Sequence, residues 1–158
     1  MTGETHLMAG VLVALAMPDP ISGAGALCLL GSIAPDLDAG PKRITLNPAR
    51  LPFRVARWFT KHRGLLHGEI PLIMVWGAAW LVGGPWYGLA LGWTSHILLD
   101  AFTKHGVKLL GVRLRLLPKP LQFTTGGKAE LYLLRGLMVA GVLYLTGAVP
   151  AILTWLGL

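Results

Sequence analysis

The sequence predicts an all-α fold, a polytopic bundle of about five membrane helices with a basic interfacial helix. Hydrophobic residues make up 54% of the 158 residues and charged residues only 13%, whereas soluble domains carry about 25% charged residues. The thirty residues from Ile70 to Leu99 contain no Asp, Glu, Lys or Arg. The length is that of one domain, so we expect a single integral-membrane domain over 1–158.

Turn signals divide the apolar sequence into helices. Pro18-Asp19-Pro20 and Gly83-Gly84-Pro85 interrupt uncharged runs, and such combinations of proline with glycine or aspartate mark turns. They predict two helical hairpins followed by a last helix. The expected ranges are 4–17 with 21–35, 65–82 with 86–103, and 130–147, with a short tail after Pro150.

The positive charges predict the orientation of this bundle. Of the fourteen Lys and Arg residues, seven lie within 42–63 and six within 104–128. Because loops rich in Lys and Arg stay on the cytoplasmic side, both stretches are expected to face the cytoplasm. The sequence therefore predicts a protein integral to the cytoplasmic (inner) membrane, with the turn at Asp19 and the turn at Gly83-Gly84 on the outer side.

The basic stretch 48–61 is a candidate lipid-binding element. Arg50, Arg54, Arg57 and Lys61 are spaced four, three and four residues apart beside apolar side chains. This spacing predicts an amphipathic interfacial helix drawn to anionic headgroups of membrane lipids. A solvated positively charged loop is the alternative.

The stretch 107–117, VKLLGVRLRLL, alternates partly at period two. It predicts either a strand-like lid segment or a second amphipathic surface helix. The sequence leaves both alternatives open.

The acidic and histidine residues gather at one end of the predicted bundle. The chain has only five His and seven Asp or Glu residues, yet the topology brings seven of these twelve to the cytoplasmic end. Glu130, which opens the last helix after Gly126-Gly127, would join them. The seven are His6, Asp36, Asp38, His62, His67, His96 and Asp100. Ionisable groups at membrane depth are costly and usually functional, which favours a site over a solvated surface.

His96 and Asp100 form the best local pair in this set. They are four residues apart, so their side chains project from nearly the same face of a helix, about 40° apart. The pair is either two metal ligands or a hydrogen-bonded contact between helices. The neighbouring hydroxyls of Ser95 and Thr103 would either support the ligands or bond to the helix backbone.

The other residues extend the pair into a candidate di-metal centre. Pro35 favours an irregular exit from the second helix, which lets Asp36 and Asp38 turn inward, and Gly64 allows His62 and His67 to approach from different sides. Imidazoles and carboxylates in this number exceed what one tetrahedral ion needs. We therefore expect two divalent metal ions, Zn, Mn or Fe, with a bridging carboxylate.

Four motifs resemble the YdjM-like family of membrane-bound metal-dependent hydrolases. They are Thr5-His6, PDLD at 35–38, HRGLLH at 62–67 and SHILLDAFT at 95–103. The resemblance implies a metal site built from His6, Asp36, Asp38, His62, His67, His96 and Asp100, with Glu130 matching an acidic residue that follows a glycine near the last helix. Gly68 departs from the family pattern, because members often have Ser after the second His of HRGLLH.

The leading interpretation is a hydrolase acting on a phosphoester of a lipid or membrane-delivered substrate. A divalent ion would supply an activated water there. Arg63 would steady the phosphoryl oxygens, and Asp36 or Asp38 would take the proton.

Two other functions use the same residues. A non-catalytic metal-binding transporter or sensor subunit would need polar residues along a membrane pathway, but the outer halves of the predicted helices are nearly all apolar. Nucleic-acid binding is open to a chain with a net charge of +7, but the basic loops lack a recognition motif. The twenty-one glycines would permit close packing within the chain or a homo-oligomer.

Overall fold

A computed structural model describes residues 1–39, 66–148 and 154, with the backbone alone at 38 and 39. The predicted interfacial helix at 48–61 therefore lies outside the described residues. So do His62, Arg63 and most of the tail predicted after Pro150. That residues 1–158 form one domain stays a prediction.

The described residues are mostly helical. Five α-helices are joined by two short 3₁₀ segments, Ala34–Ala39 and Lys119–Leu121, and by one β-hairpin. The helices are α1 (Gly3–Leu15), α2 (Gly23–Ile33), α3 (Glu69–Val82), α4 (Trp86–Ala101) and α5 (Lys128–Leu145), and the hairpin strands are β1 (Val107–Leu109) and β2 (Val112–Leu114).

The prediction of a polytopic membrane bundle is wrong for this structure. Within residues 1–39 and 66–148, none of the helices combines the length with the apolar composition that crossing a bilayer requires. The helices α1 to α4 have 13, 11, 14 and 16 residues, which gives them lengths of about 17 to 24 Å at 1.5 Å per residue. The hydrocarbon core of a bilayer is about 30 Å thick. The 18-residue α5 carries Lys128, Glu130 and Arg135.

Local sequence signals explain why these helices end early. The side chain of Ser22 caps α2 by accepting a hydrogen bond from the Gly25 amide, and α2 stops two residues before Pro35, a residue that brings no amide hydrogen to the helix. Gly83 ends α3 with φ +73°, a left-handed conformation that glycine adopts at little cost. The uncharged runs of the sequence are therefore longer than the helices they contain.

Glycines bring α2 and α4 into backbone contact. A Cβ added at Gly88 would lie 1.9 Å from the carbonyl oxygen of Ala24, and one added at Gly92 would lie 2.0 Å from that of Cys28. At Gly31 an added Cβ would meet the Leu89 carbonyl oxygen at 2.3 Å. Only glycine permits this approach, so the separation of the two helices is fixed by their backbones.

The connectivity brings five helix ends to one end of the molecule. Helix α1 packs on α2, α4 and α5, and α4 packs on α2 and α3. Successive helices alternate in direction, so the starts of α1, α3 and α5 lie near the ends of α2 and α4. A core of Trp93, Ile97, Ala101 and Val107 lies at this end and holds β1 against α4.

The stretch 107–117 contains strands, which decides between the two alternatives left open by its sequence. Val107 pairs with Leu114, Lys108 with Arg113, and Leu109 with Val112 in an antiparallel register. The two residues between the strands, Leu110 and Gly111, have φ values of +49° and +77°. Two successive positive φ values are typical of the tight turn that joins two hairpin strands.

Candidate metal centre

Four elements deliver five of the predicted ligands to the same end of the molecule. His6 lies in the first turn of α1, and His67 lies in the turn just before α3. Asp36 is carried by the 3₁₀ segment after α2, while His96 and Asp100 occupy the last turns of α4. The i,i+4 spacing of the last pair places both side chains on one face of α4.

These five side chains form two groups that share His96. His6, His96 and Asp100 make one group, and Asp36, His67 and His96 make the other. Within each group the candidate ligand atoms all lie within 4.8 Å of one another. Sequence reasoning predicted all five as metal ligands.

The distances around His67 are those of a compact ligand cluster. Its Nε2 lies 3.2 Å from Nε2 of His96, 3.6 Å from Oδ1 of Asp36 and 3.6 Å from Oδ2 of Asp100. The His96 Nε2 lies 3.9 Å from the same Asp36 oxygen and 3.8 Å from the same Asp100 oxygen. Bonds of about 2.0 to 2.2 Å from one zinc ion to such ligands would require separations close to these.

A backbone carbonyl fixes which nitrogen of His96 faces the cluster. The His96 Nδ1 lies 2.8 Å from the carbonyl oxygen of Ser32, and because a carbonyl only accepts, Nδ1 carries the hydrogen and donates it. Burial, reinforced by the neighbouring His6, lowers the pKa of His96 to about 3. The ring is therefore neutral at physiological pH and presents the Nε2 lone pair to the cluster.

His6 gives the clearest test of whether a metal fits. Its side chain is fully buried and stacks on His96 with ring centroids 3.6 Å apart. Neither ring nitrogen of His6 makes a hydrogen bond, although Nε2 lies 3.2 Å from Oδ1 of Asp100. A buried polar atom without a hydrogen bond is costly, and a metal ion on Nε2 would remove that cost at Nε2.

Both carboxylates of the cluster are held in the ionised form that a metal needs. Burial alone would raise the pKa of Asp100, but His6 and the amino group of Met1, which contacts Oδ1, outweigh burial and lower the pKa. Burial also opposes ionisation of Asp36, but His67, whose Nε2 lies 3.6 Å from Oδ1, and the other cluster histidines lower the pKa of this carboxyl. Ionised carboxylates beside neutral imidazoles are the donor set that Zn, Mn or Fe accepts.

Glu130 lies in neither group of ligands. Its Oε1 accepts hydrogen bonds from the Thr2 amide and from the Thr5 hydroxyl, the latter at 3.0 Å, and its Oε2 accepts one from the Gly126 amide at 2.7 Å. Burial would raise the pKa of this carboxyl, but these donors lower it. In the structure Glu130 ties the start of α1 to the start of α5.

The remaining predicted residues are not brought together by the described part of the chain. His62 and Arg63 lie outside it, and of Asp38 only the backbone is described. Ser95 and Thr103 bond to the backbone, which is one of the two alternatives that the sequence left open. Their hydroxyls donate to the carbonyl oxygens of Gly92 and Asp100.

Sequence reasoning missed the backbone partners of the site. The Ser32 carbonyl and the amino group of Met1 both contact site residues, but neither contact depends on a distinctive side chain. The one available signal was the run of small residues facing each other on α2 and α4, since close helix packing brings backbone carbonyls within reach of a neighbouring imidazole.

Comparisons with known proteins assign the chain to a family. The curated protein "Uncharacterized protein YvsG" of Bacillus subtilis (strain 168) is 32% identical over 157 residues, covering 91% of this chain and 94% of that relative. No solved structure matches. Residues 1–151 match the family model described as YdjM inner membrane protein. The chain therefore belongs to the YdjM family of inner membrane proteins.

Proposed function

We propose that the protein is a divalent-metal-dependent hydrolase whose metal centre is built by His6, Asp36, His67, His96 and Asp100. The observation that carries the proposal is the pair of ligand groups that meet at His96. Ionised carboxylates, a neutral His96 and a buried His6 without hydrogen bonds support it. A purely structural polar network would be expected to give the two buried ring nitrogens of His6 hydrogen-bond partners.

The arrangement of Asp100 supports a centre for two ions. His96 has one nitrogen that can hold an ion, Nε2, because Nδ1 donates to Ser32, so it would serve one ion at a time in place of its 3.2 Å contact with His67 Nε2. The two oxygens of Asp100 face different partners: Oδ1 is next to His6 and the amino group of Met1, and Oδ2 is next to His67 and His96. Asp100 would therefore help to hold both ions.

The residues of the chain would divide the work of hydrolysis. A bound ion would supply Lewis acidity and an activated water. His6, His67, His96 and Asp100 would hold and orient the metal. Asp36, ionised and only partly buried, would accept a proton from the attacking water, with Asp38 as the neighbouring candidate. Arg63 would bind the substrate's anionic group.

A phosphoester of a lipid or of another membrane-associated molecule is the substrate class that we favour. The family is described as an inner membrane protein family, which supports a substrate met at the membrane. Lys104 follows Asp100 by four residues and is exposed, and Lys128 is exposed at the start of α5. Cations near a metal centre favour a substrate with negative charge.

Burial of the ligands supports a second candidate, a metal-binding protein without catalysis. His6 and His96 have no exposed side-chain surface, and the other three cluster side chains are between 13% and 18% exposed. A metal site with so little solvent access would suit a sensor or a transporter subunit. Catalysis requires that substrate reach the ion, so an activity measurement distinguishes the two candidates.

The test compares two histidine variants. Purified chain loaded with Zn²⁺, Mn²⁺ or Fe²⁺ is assayed for hydrolysis of bis(p-nitrophenyl) phosphate and of phospholipids in mixed micelles. His96→Ala should lower kcat/KM by at least about 1,000-fold, since it removes a ligand of the proposed ion. His105→Ala changes an exposed histidine outside both ligand groups, and its kcat/KM should equal that of the wild type.

Three outcomes decide the proposal. Loss of activity only in His96→Ala supports the hydrolase. Metal binding by the wild-type chain without hydrolysis of either phosphoester supports the non-catalytic candidate. Equal activity in the wild type and His96→Ala contradicts a catalytic role of the centre.

A further inference from the structure

The β-hairpin Val107–Leu114 combines local features that are unfavourable for the isolated chain. Leu110 lies at the tip of the hairpin with φ +49°, and it is the non-glycine residue with a positive φ in the described part of the chain. A left-handed conformation is costly for a residue with a side chain. The Leu110 side chain is also 80% exposed, so the cost is not offset by burial.

A second unfavourable feature lies across the two strands. Lys108 and Arg113 are direct partners in the antiparallel register, and both are exposed. Like charges placed opposite each other destabilise a hairpin. An anionic surface against this side of the hairpin would turn the repulsion into attraction.

Cations and exposed apolar side chains are interleaved in the surrounding segment 104–119. It contains five cations, no Asp and no Glu, and all five cations are exposed. They are Lys104, Lys108, Arg113, Arg115 and Lys119. Val112 and Leu116, with exposures of 69% and 44%, lie among them. Exposed leucines and valines interleaved with cations match an interfacial lipid contact.

The rest of the fold holds the hairpin firmly enough to present its tip. Val107 is buried in the core beside Trp93 and Ile97, and the amide of Leu110 donates a hydrogen bond of 3.2 Å to Oε2 of Glu69. Leu116 is tied to the end of α4 through the Ala101 carbonyl oxygen. The tip is thus projected from the same end of the molecule as the metal centre.

We propose that the hairpin Val107–Leu114 docks on an anionic phospholipid bilayer, with Leu110 entering the interface and Lys108, Arg113 and Arg115 contacting phosphate headgroups. The inference goes beyond the hydrolase proposal and does not depend on it. Charge complementarity and the exposed apolar tip favour a lipid surface over a nucleic acid, because contacts to nucleic-acid phosphates would leave the exposed leucine and valine side chains in water. The metal centre would then face the membrane surface.

Leu110→Gly is a test in which the unfolding temperature should stay the same or rise while vesicle binding falls. Glycine relieves the left-handed backbone, so the variant should unfold at the same temperature as the wild-type chain or at a higher one. It also removes the apolar tip, so binding to vesicles of 70% phosphatidylcholine and 30% phosphatidylglycerol should fall by about 5-fold or more. The full-length chain is used, and binding is measured by co-sedimentation.

Two further variants make the result specific. Ile21→Gly removes another highly exposed apolar side chain, 97% exposed in the loop between α1 and α2, at the opposite end of the molecule, and should bind vesicles like the wild type. Lys108→Gln combined with Arg113→Gln should reduce binding to the anionic vesicles by about 30-fold and binding to pure phosphatidylcholine vesicles far less.

The outcomes separate the lipid surface from other partners. Weaker vesicle binding by Leu110→Gly and by the double glutamine variant, with Ile21→Gly unchanged, supports docking. Equal vesicle binding by all four proteins overturns it. So does a result in which the double variant loses affinity for duplex DNA but not for anionic vesicles. Hydrolase activity is not measured in this experiment, so a result against membrane docking does not contradict the proposed metal centre.

Discussion

Single residues in this protein have environments that the sequence only partly predicts. His6, Asp36, His67, His96 and Asp100 were predicted as ligands because helix ends were expected to converge, and the structure brings these five side chains together. Glu130 was placed with them by the same reasoning. Its carboxylate instead accepts three hydrogen-bond donors from the two chain segments beside it. The convergence of helix ends predicts that these side chains lie near one another, but it does not predict which polar groups each of them contacts.

Replacing Glu130 with glutamine should destabilise the protein in a pH-dependent way. Glu130→Gln removes the charge and one acceptor oxygen, and we expect a loss of about 2 kcal/mol in the free energy of unfolding at pH 7. The folded-state pKa of Glu130 is lowered, so its contribution is present above the unfolded pKa and is lost as the pH falls through the folded pKa.

The measurement is urea unfolding of both proteins between pH 7 and pH 3. The difference in unfolding free energy between wild type and Glu130→Gln should shrink as the solution becomes more acidic, because Glu130 becomes protonated. Asp36 and Asp100 titrate in both proteins, so their effects cancel in this difference. A difference that is constant over this range would contradict the role assigned to the ionised carboxylate.

Replacing His6 with leucine should separate stability from metal binding. Leucine removes two buried ring nitrogens that make no hydrogen bond, but it also removes the imidazole that favours the ionised form of Asp100. Because these two effects oppose each other, we expect the free energy of unfolding of the metal-free protein to change by no more than about 1 kcal/mol. Affinity for Zn²⁺ should fall by about 10-fold or more. Thermal unfolding in EDTA and Zn²⁺ titration measure the two effects.

The exposed His105 provides the control for this variant, because His105→Leu changes no group of either ligand set. A His6→Leu protein that is strongly destabilised without metal would show that His6 makes a favourable contact of its own. In that case the environment of His6 would be favourable without a metal ion.

Secondary-structure elements were easier to foresee than their lengths. The turns at 18–20 and 83–85 separate helices as their Pro and Gly residues indicated. The extent of apolar sequence was misleading, because the uncharged runs are longer than the helices. Helix α1 ends at Leu15, before Pro18, α2 begins only after Ser22, and α3 ends just before Gly83. Backbone contact between α2 and α4 was also not predictable in detail, since single-sequence spacing does not say which glycines face each other.

The close contact of α2 and α4 should control the metal centre. Gly92→Ala would place a Cβ 2.0 Å from the Cys28 carbonyl oxygen and 2.9 Å from the Ser32 amide. The helices must separate, which displaces the Ser32 carbonyl that holds His96. We expect a loss of about 1–3 kcal/mol in unfolding free energy and a weaker affinity for Zn²⁺ by about 10-fold.

Gly77→Ala is the matched control, because an added Cβ there meets nothing within 4 Å. Alanine is the better helix former, so this variant should gain up to about 1 kcal/mol with unchanged metal affinity. Calorimetric unfolding and Zn²⁺ titration of the two variants compare them directly. Unchanged metal affinity in Gly92→Ala would show that the helix contact does not position His96.

At the scale of the whole molecule, composition indicated a membrane protein, and family membership agrees with that environment. The specific architecture inferred from composition was a bundle of spanning helices, and the described helices do not have the required length and apolar composition. Hydrophobic content measures how much apolar surface a chain carries, but not how that surface is divided among elements. The basic segment 104–119, by contrast, has a defined place in and around the hairpin between α4 and α5.

The central claim is that the cluster around His96 and Asp100 binds a divalent metal. Elemental analysis of the purified chain, before and after reconstitution with Zn²⁺, Mn²⁺ or Fe²⁺, tests it most directly when wild type, Asp100→Asn and Asp19→Asn are measured together. Asp19 is exposed in the loop between α1 and α2, so its variant serves as the charge-matched control. We expect bound metal in the wild type and Asp19→Asn, with occupancy at least about 10-fold lower in Asp100→Asn at limiting metal. Absence of metal from the reconstituted wild type, or equal metal in all three proteins, would contradict it.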